Sequence, residues 1–137
     1  MRAFSRCAGL LLLAACGHKQ AVIMVDPKNL GGDPWVLEDL LGRGVIDNSH
    51  TTLQFMPSGK VNGSGGCNKY TGSVAIKGQA ITFTPMAATM MACAPALMNQ
   101  ETSYFDALTK ADSVAMDKNG ALLIHVKGEG KPLLFRR

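Results

Sequence analysis

The sequence predicts a mainly β fold of the α+β class: a small antiparallel barrel-like sheet with one amphipathic helix at about residues 95–110. Three observations carry this. Short stretches of alternating apolar and polar residues recur along the chain with turn residues between them. One stretch alone switches to helical spacing. The strands follow one another without long crossovers, so their edges need closure or a second layer to protect them.

Taken in order, Met1 to Ala15 combine Arg2 and Arg6 with an apolar run from Ala8 to Ala15. A bilayer span needs about 20 apolar residues, so this short run reads as a targeting segment rather than a transmembrane helix. It ends in Leu13-Ala14-Ala15-Cys16, which resembles the lipobox of bacterial lipoprotein signal peptides. The resemblance implies cleavage after residue 15 and acyl chains on Cys16, which would act as a membrane anchor. Each buried methylene contributes about 0.8 kcal/mol, and stable anchoring takes more than one chain. By analogy with enterobacterial sorting, Gly17 in place of an aspartate favours the outer membrane, with the protein facing the periplasm. Residues 16–32, with Pro27 and Gly31-Gly32, read as a lipidated N-terminus and flexible tether, although Ala21 to Val25 has the composition of an extra edge strand. The folded domain is placed at 33–137.

Within it, Trp35 to Leu40 opens the sheet. Thr52 to Met56 alternates, Pro57-Ser58-Gly59 turns, and Lys60 to Ser64 returns as the hairpin partner. Tyr70 to Ile76 and Ala80 to Thr84 flank the turn Lys77-Gly78-Gln79. Ser113 to Met116 and Ala121 to Val126 are joined through Asn119-Gly120, a strong hairpin signal because both residues tolerate positive φ. Leu133 to Phe135 closes the series. The exception lies between: Leu97, Glu101, Tyr104, Phe105 and Leu108 share one helical face, and Pro95 suits the first helical position.

Composition excludes little. Beyond the signal segment there are twelve Lys and Arg against ten Asp and Glu. The basic residues are scattered, without the clustered stripe of a nucleic-acid footprint. Of four cysteines, Cys7 leaves with the signal and Cys16 is the lipidation site. Cys67 and Cys93 remain for one intramolecular pairing. An oxidising compartment makes a disulfide the default, and a structural staple is the reading taken over a reactive redox pair. Spacing alone does not show that the two thiols meet.

The order of Trp35-Val-Leu, Thr52-Leu-Gln-Phe, Gly63-Ser-Gly-Gly-Cys-Asn-Lys-Tyr70, Ala88-Thr-Met-Met-Ala-Cys93, Glu101 and a terminal Leu134-Phe135 resembles the META domain (HslJ-like) family of small bacterial envelope proteins. The motif positions are Gly66, Cys67, Asn68, Tyr70, Thr89, Met91, Ala92, Cys93 and Glu101. The resemblance implies a lipocalin-like or cracked β-barrel with a helix before the last strands. It implies no established catalytic activity, and a loose association with stress response and antibiotic tolerance.

Several segments admit a sharper chemistry beside a plain one. The Gly63 to Asn68 segment fits neither a P-loop nor a dinucleotide fingerprint and reads as a tight turn or bulge. Met86, Met90, Met91, Cys93 and Met98 have the softness to select Cu(I); the plainer account has alternate members filling the core. His18, His50 and His125 are isolated. Glu101 beside apolar positions reads as a carboxylate accepting backbone hydrogen bonds. The resulting expectation is a monomeric, non-enzymatic envelope lipoprotein with no cofactor and no metal, no nucleic-acid partner and an unknown envelope protein as partner. The alternative is a binder of a small apolar ligand or lipid in the barrel interior. That alternative turns on whether Leu53, Phe55, Ile76, Phe83 and Ile124 fill the barrel.

Overall fold

The structure, a computed structural model, describes residues 24–137. The expected signal segment, with Cys7, Cys16 and His18, lies outside the described residues. Nine strands and one helix follow in order: β1 (Trp35–Leu40), β2 (Thr52–Met56), β3 (Lys60–Ser64), β4 (Lys69–Lys77), β5 (Ala80–Phe83), β6 (Ala87–Ala88), α1 (Pro95–Thr109), β7 (Ala111–Met116), β8 (Leu122–Val126) and β9 (Leu133–Arg136). The order around the sheet is β3-β2-β1-β9-β8-β7-β5-β4, and β4 pairs back onto β3. Eight antiparallel strands therefore close into a barrel, which removes the exposed edges a flat sheet would present. The two-residue β6 lies outside the ring, pairing Ala88 with Tyr70 and Ala87 with Thr71.

Alternation places the core. In β1, Trp35 and Leu37 point inward, and a register shift between Leu37 and Asp39 then turns Leu40 inward as well. One extra residue is what a bulge inserts, and without it Leu40 would face outward. Leu53, Phe55, Val61, Tyr70, Ile81, Phe83, Val114, Leu122, Ile124, Leu133 and Phe135 complete the buried set. Of the five residues expected to fill the barrel, four are buried and Ile76 packs half-buried against them.

The ring has a weak seam between β5 and β7, where Ala80↔Ser113 is the one paired position. Helix α1 packs beside it. Pro95 occupies the first turn, as expected. Glu101, Tyr104, Ala107 and Leu108 are buried. The Tyr104 ring packs against both Tyr70 and Phe135, with ring centroids 5.9 and 6.4 Å away. Those two residues sit on β4 and β9, on opposite sides of the ring, so the helix plugs the barrel rather than flanking it.

Two expectations need correction. The packed body starts before residue 33: Val25 and Leu30 are buried, and the Trp35 indole N–H donates to the Leu30 carbonyl at 3.0 Å. A short 3-10 turn at Pro27–Asn29, capped by the Asp26 side chain, delivers Leu30 to the core. Met24 and Val25 form no strand, and the rest of the suggested edge strand lies outside the described residues. The hairpin expected around Lys118-Asn119-Gly120 is present, with Met116↔Leu122 bracketing a five-residue loop that contains them. Its shape is set by the Asp117 carboxylate, which accepts the Asn119 and Ala121 N–H groups at 2.8 and 2.9 Å. Finally, the methionines do not fill the core. Met86 is half-buried, whereas Met90, Met91 and Met98 are 98%, 62% and 39% exposed.

Candidate functional site

The motif residues converge at one end of the barrel. The β3–β4 loop, residues 65–68, lies against the middle of α1 and against the segment that follows β6. At its centre is Asn68, 6% exposed. The Asn68 side-chain oxygen accepts from the Thr89 hydroxyl at 2.9 Å and the Met91 N–H at 2.6 Å. The Asn68 amide nitrogen donates to Glu101 Oε1 at 2.7 Å and, more weakly, to the Met91 carbonyl at 3.4 Å. Its backbone oxygen takes the Gly65 N–H at 2.8 Å. An amide offers two donors and two acceptor sites, and here all four are in use.

Glu101 completes the arrangement from the helix. Its Oε2 accepts the backbone N–H groups of Cys67 and Asn68 at 2.9 and 2.6 Å. Backbone N–H groups at the tip of a loop have no ladder partner, and a buried unpaired one costs free energy comparable to a lost hydrogen bond. The carboxylate supplies two of those partners at once. Gly65 is required by proximity, since a Cβ there would lie 2.6 Å from Glu101 Oε2 and 2.8 Å from Phe105 Cζ. Gly66 has φ +111°, a conformation closed to side chains.

A disulfide joins Cys67 to Cys93, with Cα atoms 5.9 Å apart. It fastens the loop to the segment entering α1, on the same two chain segments that Asn68 bridges. Thr89 and Met91 contribute through a hydroxyl and through backbone groups. Ala92 is exposed and makes no side-chain contact that explains its place in the motif.

Beneath the loop the two tyrosines pair. The Tyr70 hydroxyl donates to the Thr52 carbonyl at 2.6 Å and meets the Tyr104 hydroxyl at 2.7 Å. Burial raises the pKa of both phenols, so each stays protonated and neutral far above its ordinary range. Sequence reasoning placed Tyr104 on the buried helix face and did not find this partnership. Its signal is available in hindsight: two tyrosines forced inward need hydroxyl partners, and here they share each other and the Thr52 carbonyl.

The remaining candidates stand apart from this cluster. His50 and His125 are exposed and distant in the fold, one in a loop and one on β8. Cys93, bound in the disulfide, offers no thiolate to a soft metal. Among the described residues no three His, Cys, Asp or Glu side chains are grouped as metal ligands. Among the described residues, three open surface grooves stand out, one of about 440 Å³ lined by Lys60, Val61, Asn62, Thr71, Gly72, Ser73, Pro85 and Ala87. Their linings are surface positions apart from Val61 in the first and Leu40 in another, both of which belong to the core. In the latter groove, between the β1–β2 loop and α1, Gln100 accepts the Ile46 N–H at 2.7 Å while its Nε2 is buried without a partner.

Residues 28–137 match the model of the META domain family. Two NMR structures share the fold. One, from Burkholderia xenovorans, is 28% identical with a TM-score of 0.63, covering 80% of this chain and 84% of its own. The other is 25% identical with a TM-score of 0.66, covering 82% of this chain and 95% of its own. No curated protein matches the chain significantly.

Proposed function

The chain belongs to the META domain family, and on that premise we propose that it is a non-enzymatic interaction module, carried on a lipid-anchored envelope protein and serving stress or antibiotic tolerance. One observation carries the reading: the motif residues spend their chemistry on each other. Both Glu101 oxygens and both polar atoms of Asn68 are engaged inside the protein. A general acid or base needs a free atom within hydrogen-bond reach of a substrate, and this cluster offers none. Ligand pockets are concave and largely pre-formed, whereas Trp35, Leu53, Phe83, Tyr104, Ile124 and Phe135 occupy the barrel interior. What the domain presents is its outer surface.

The anchoring half of the proposal rests on the lipobox-like Leu13-Ala14-Ala15-Cys16, with outer-membrane delivery suggested by Gly17. No helix among the described residues is long and apolar enough to cross a membrane. The Cys67–Cys93 disulfide suits an oxidising compartment. Crosslinking in the intact envelope, followed by identification of captured neighbours, tests the interaction role. A reproducible envelope-protein neighbour that is lost when exposed residues are substituted supports it. Native mass spectrometry showing a stoichiometric small ligand, with no protein neighbour, would replace it. Mass analysis of the mature N-terminus tests the anchor: acyl mass is expected on Cys16 and is absent in Cys16→Ser.

A further inference from the structure

The lysines that are scattered in sequence gather on one side of the barrel. Between residues 48 and 100 the chain carries Lys60, Lys69 and Lys77 and no Asp or Glu at all. Those residues build β2 to β6, five neighbouring strands of the ring and its edge. All three lysines are exposed. Lys60 reaches across to the Ser73 hydroxyl at 3.1 Å, and among the described residues none of the three has a carboxylate partner. The carboxylates are placed elsewhere. Glu38 pairs with Arg136, Asp106 with Lys110, Asp117 caps its own hairpin, and Glu101 is buried in the loop network. Asp39 accepts the Gly42 and Gly44 N–H groups after β1, and Glu129 lies in the loop after β8. Asp47 and Asp112 lie at the margins, in the loop before β2 and on β7, as do Asp26, two residues from Met24, and Asp33, two residues from the Gly31–Phe55 bridge.

An uncharged apolar rim adjoins this face. From Gly78 to Gln100 there is no charged side chain. Met90 is 98% exposed and Met91 62% exposed, next to Lys69 through the backbone bond from Thr89 N–H to the Lys69 carbonyl at 3.0 Å. Exposed methionines on an ordered loop, tied down by Asn68 and a disulfide, bury little apolar surface within the fold itself. Two neighbouring exposed methionines beside Lys69 supply the apolar element of the face.

We infer that this acid-free, methionine-edged face rests against an anionic lipid surface, that of the membrane holding Cys16. Charge complementarity selects an anionic occupant, and the apolar rim selects one with an acyl interior to enter. The position of the chain selects the lipid. Met24, the first described residue, lies against the β4–β5 turn, its sulfur 3.1 Å from the Gln79 amide nitrogen. Cys16 is eight residues further back, within at most about 29 Å of extended chain. The inference therefore rests on the proposed lipidation of Cys16 and adds the orientation of the domain.

The test uses the full chain as isolated from membranes, mixed with vesicles of phosphatidylcholine alone or of equimolar phosphatidylcholine and phosphatidylglycerol. An amine-reactive reagent and mild peroxide report, by mass spectrometry, on lysine and methionine exposure. Each lysine near an anionic surface favours contact about fivefold, so three shift the population about a hundredfold. Lys60, Lys69, Lys77, Met90 and Met91 are then modified far more slowly on the anionic vesicles. Lys118 and Lys127, at the ends of β8 across the barrel from β3, are unchanged. Raising the salt to screen the contact restores the labelling. Triple substitution of the lysines by glutamine removes the protection of Met90 while leaving the fold, read by circular dichroism, intact.

Equal labelling on both vesicle types, from protein whose Cys16 carries acyl mass, would overturn the inference. So would protection in intact cells that anionic vesicles do not reproduce, which would assign the face to an acidic protein instead. Protection on anionic vesicles by protein lacking acyl mass would retain the lipid-facing surface and remove the anchor.

Discussion

Replacing Glu101 by glutamine changes one atom in the loop network and reverses one hydrogen bond. Oε2 accepts two backbone N–H groups at 2.9 and 2.6 Å, and Oε1 accepts the Asn68 amide at 2.7 Å. With its oxygen in the first position, the glutamine presents an N–H₂ group to the Asn68 N–H₂. Asn68 cannot turn over, because its oxygen already accepts from Thr89 and Met91. Bonds to a charged acceptor are worth about 1.5–3 kcal/mol and neutral ones about 1 kcal/mol. Two weakened bonds and one lost then cost about 4 kcal/mol, and easier burial of the neutral amide returns about 1 kcal/mol. Glu101→Gln is expected to lose about 3 kcal/mol in urea unfolding followed by fluorescence of Trp35, the only tryptophan, at unchanged m-value. Asn68→Asp alone sets two carboxylates face to face and is at least as damaging near neutral pH. The double variant Asn68→Asp/Glu101→Gln restores donor to acceptor, with the carboxylate on the loop and the amide on the helix, and should recover most of the loss. A Glu101→Gln protein within 0.5 kcal/mol of the parent, with no rescue in the double variant, would refute the structural role of the carboxylate.

Three further outcomes follow from the same geometry. Tyr70 and Tyr104 are the only tyrosines, and both phenols are raised above the ordinary 10.0 by burial. Their contribution to stability is complete below that value and is lost as the pH climbs through it towards the folded-state pKa. Tyrosinate absorbance should accordingly appear only together with cooperative alkaline unfolding; an independent titration at the ordinary value would contradict their burial. Reduction of the disulfide, or Cys67→Ala with Cys93→Ala, opens a 26-residue separation and should cost about 3.5 kcal/mol by chain entropy, measured by denaturant melts with and without reductant. Arg137 stacks its guanidinium 4.2 Å from the Trp35 ring and donates to the Gly31 and Asn29 carbonyls at 2.8 and 2.7 Å. Arg137→Ala is expected to lose about 1–2 kcal/mol and to red-shift Trp35 emission as water reaches the indole; an unchanged spectrum would mean that the arginine holds nothing in place.

Much of the barrel can be read from local pattern, and for a physical reason. A strand at the surface of a small barrel alternates because one side meets the core and the other meets water, so Thr52–Met56, Lys60–Ser64 and Leu122–Val126 show their period in the chain itself. The helix declares itself through Pro95 and the spacing of Glu101, Tyr104 and Leu108. Glu101 was legible as a structural acceptor because a carboxylate on an apolar face must find donors. Local pattern failed where the answer lay in another segment. The bulge that turns Leu40 inward belongs to the pairing of β1 with β9. Methionine looked like core filler from composition, yet Met90 and Met91 are exposed because Asn68 and the disulfide hold their backbone at the rim.

The sequence by itself determined the class of fold and the family, since both depend on residue type and spacing within short stretches. Only the tertiary structure decided what the motif does. Asn68 is 33 positions from its Glu101 partner and 21 from Thr89. Lys60, Lys69 and Lys77 share a face only because β3 and β4 pair. Hydrogen-bond saturation, a filled interior and a one-signed surface are properties of groups brought together by ring closure. No local window of the chain contains them.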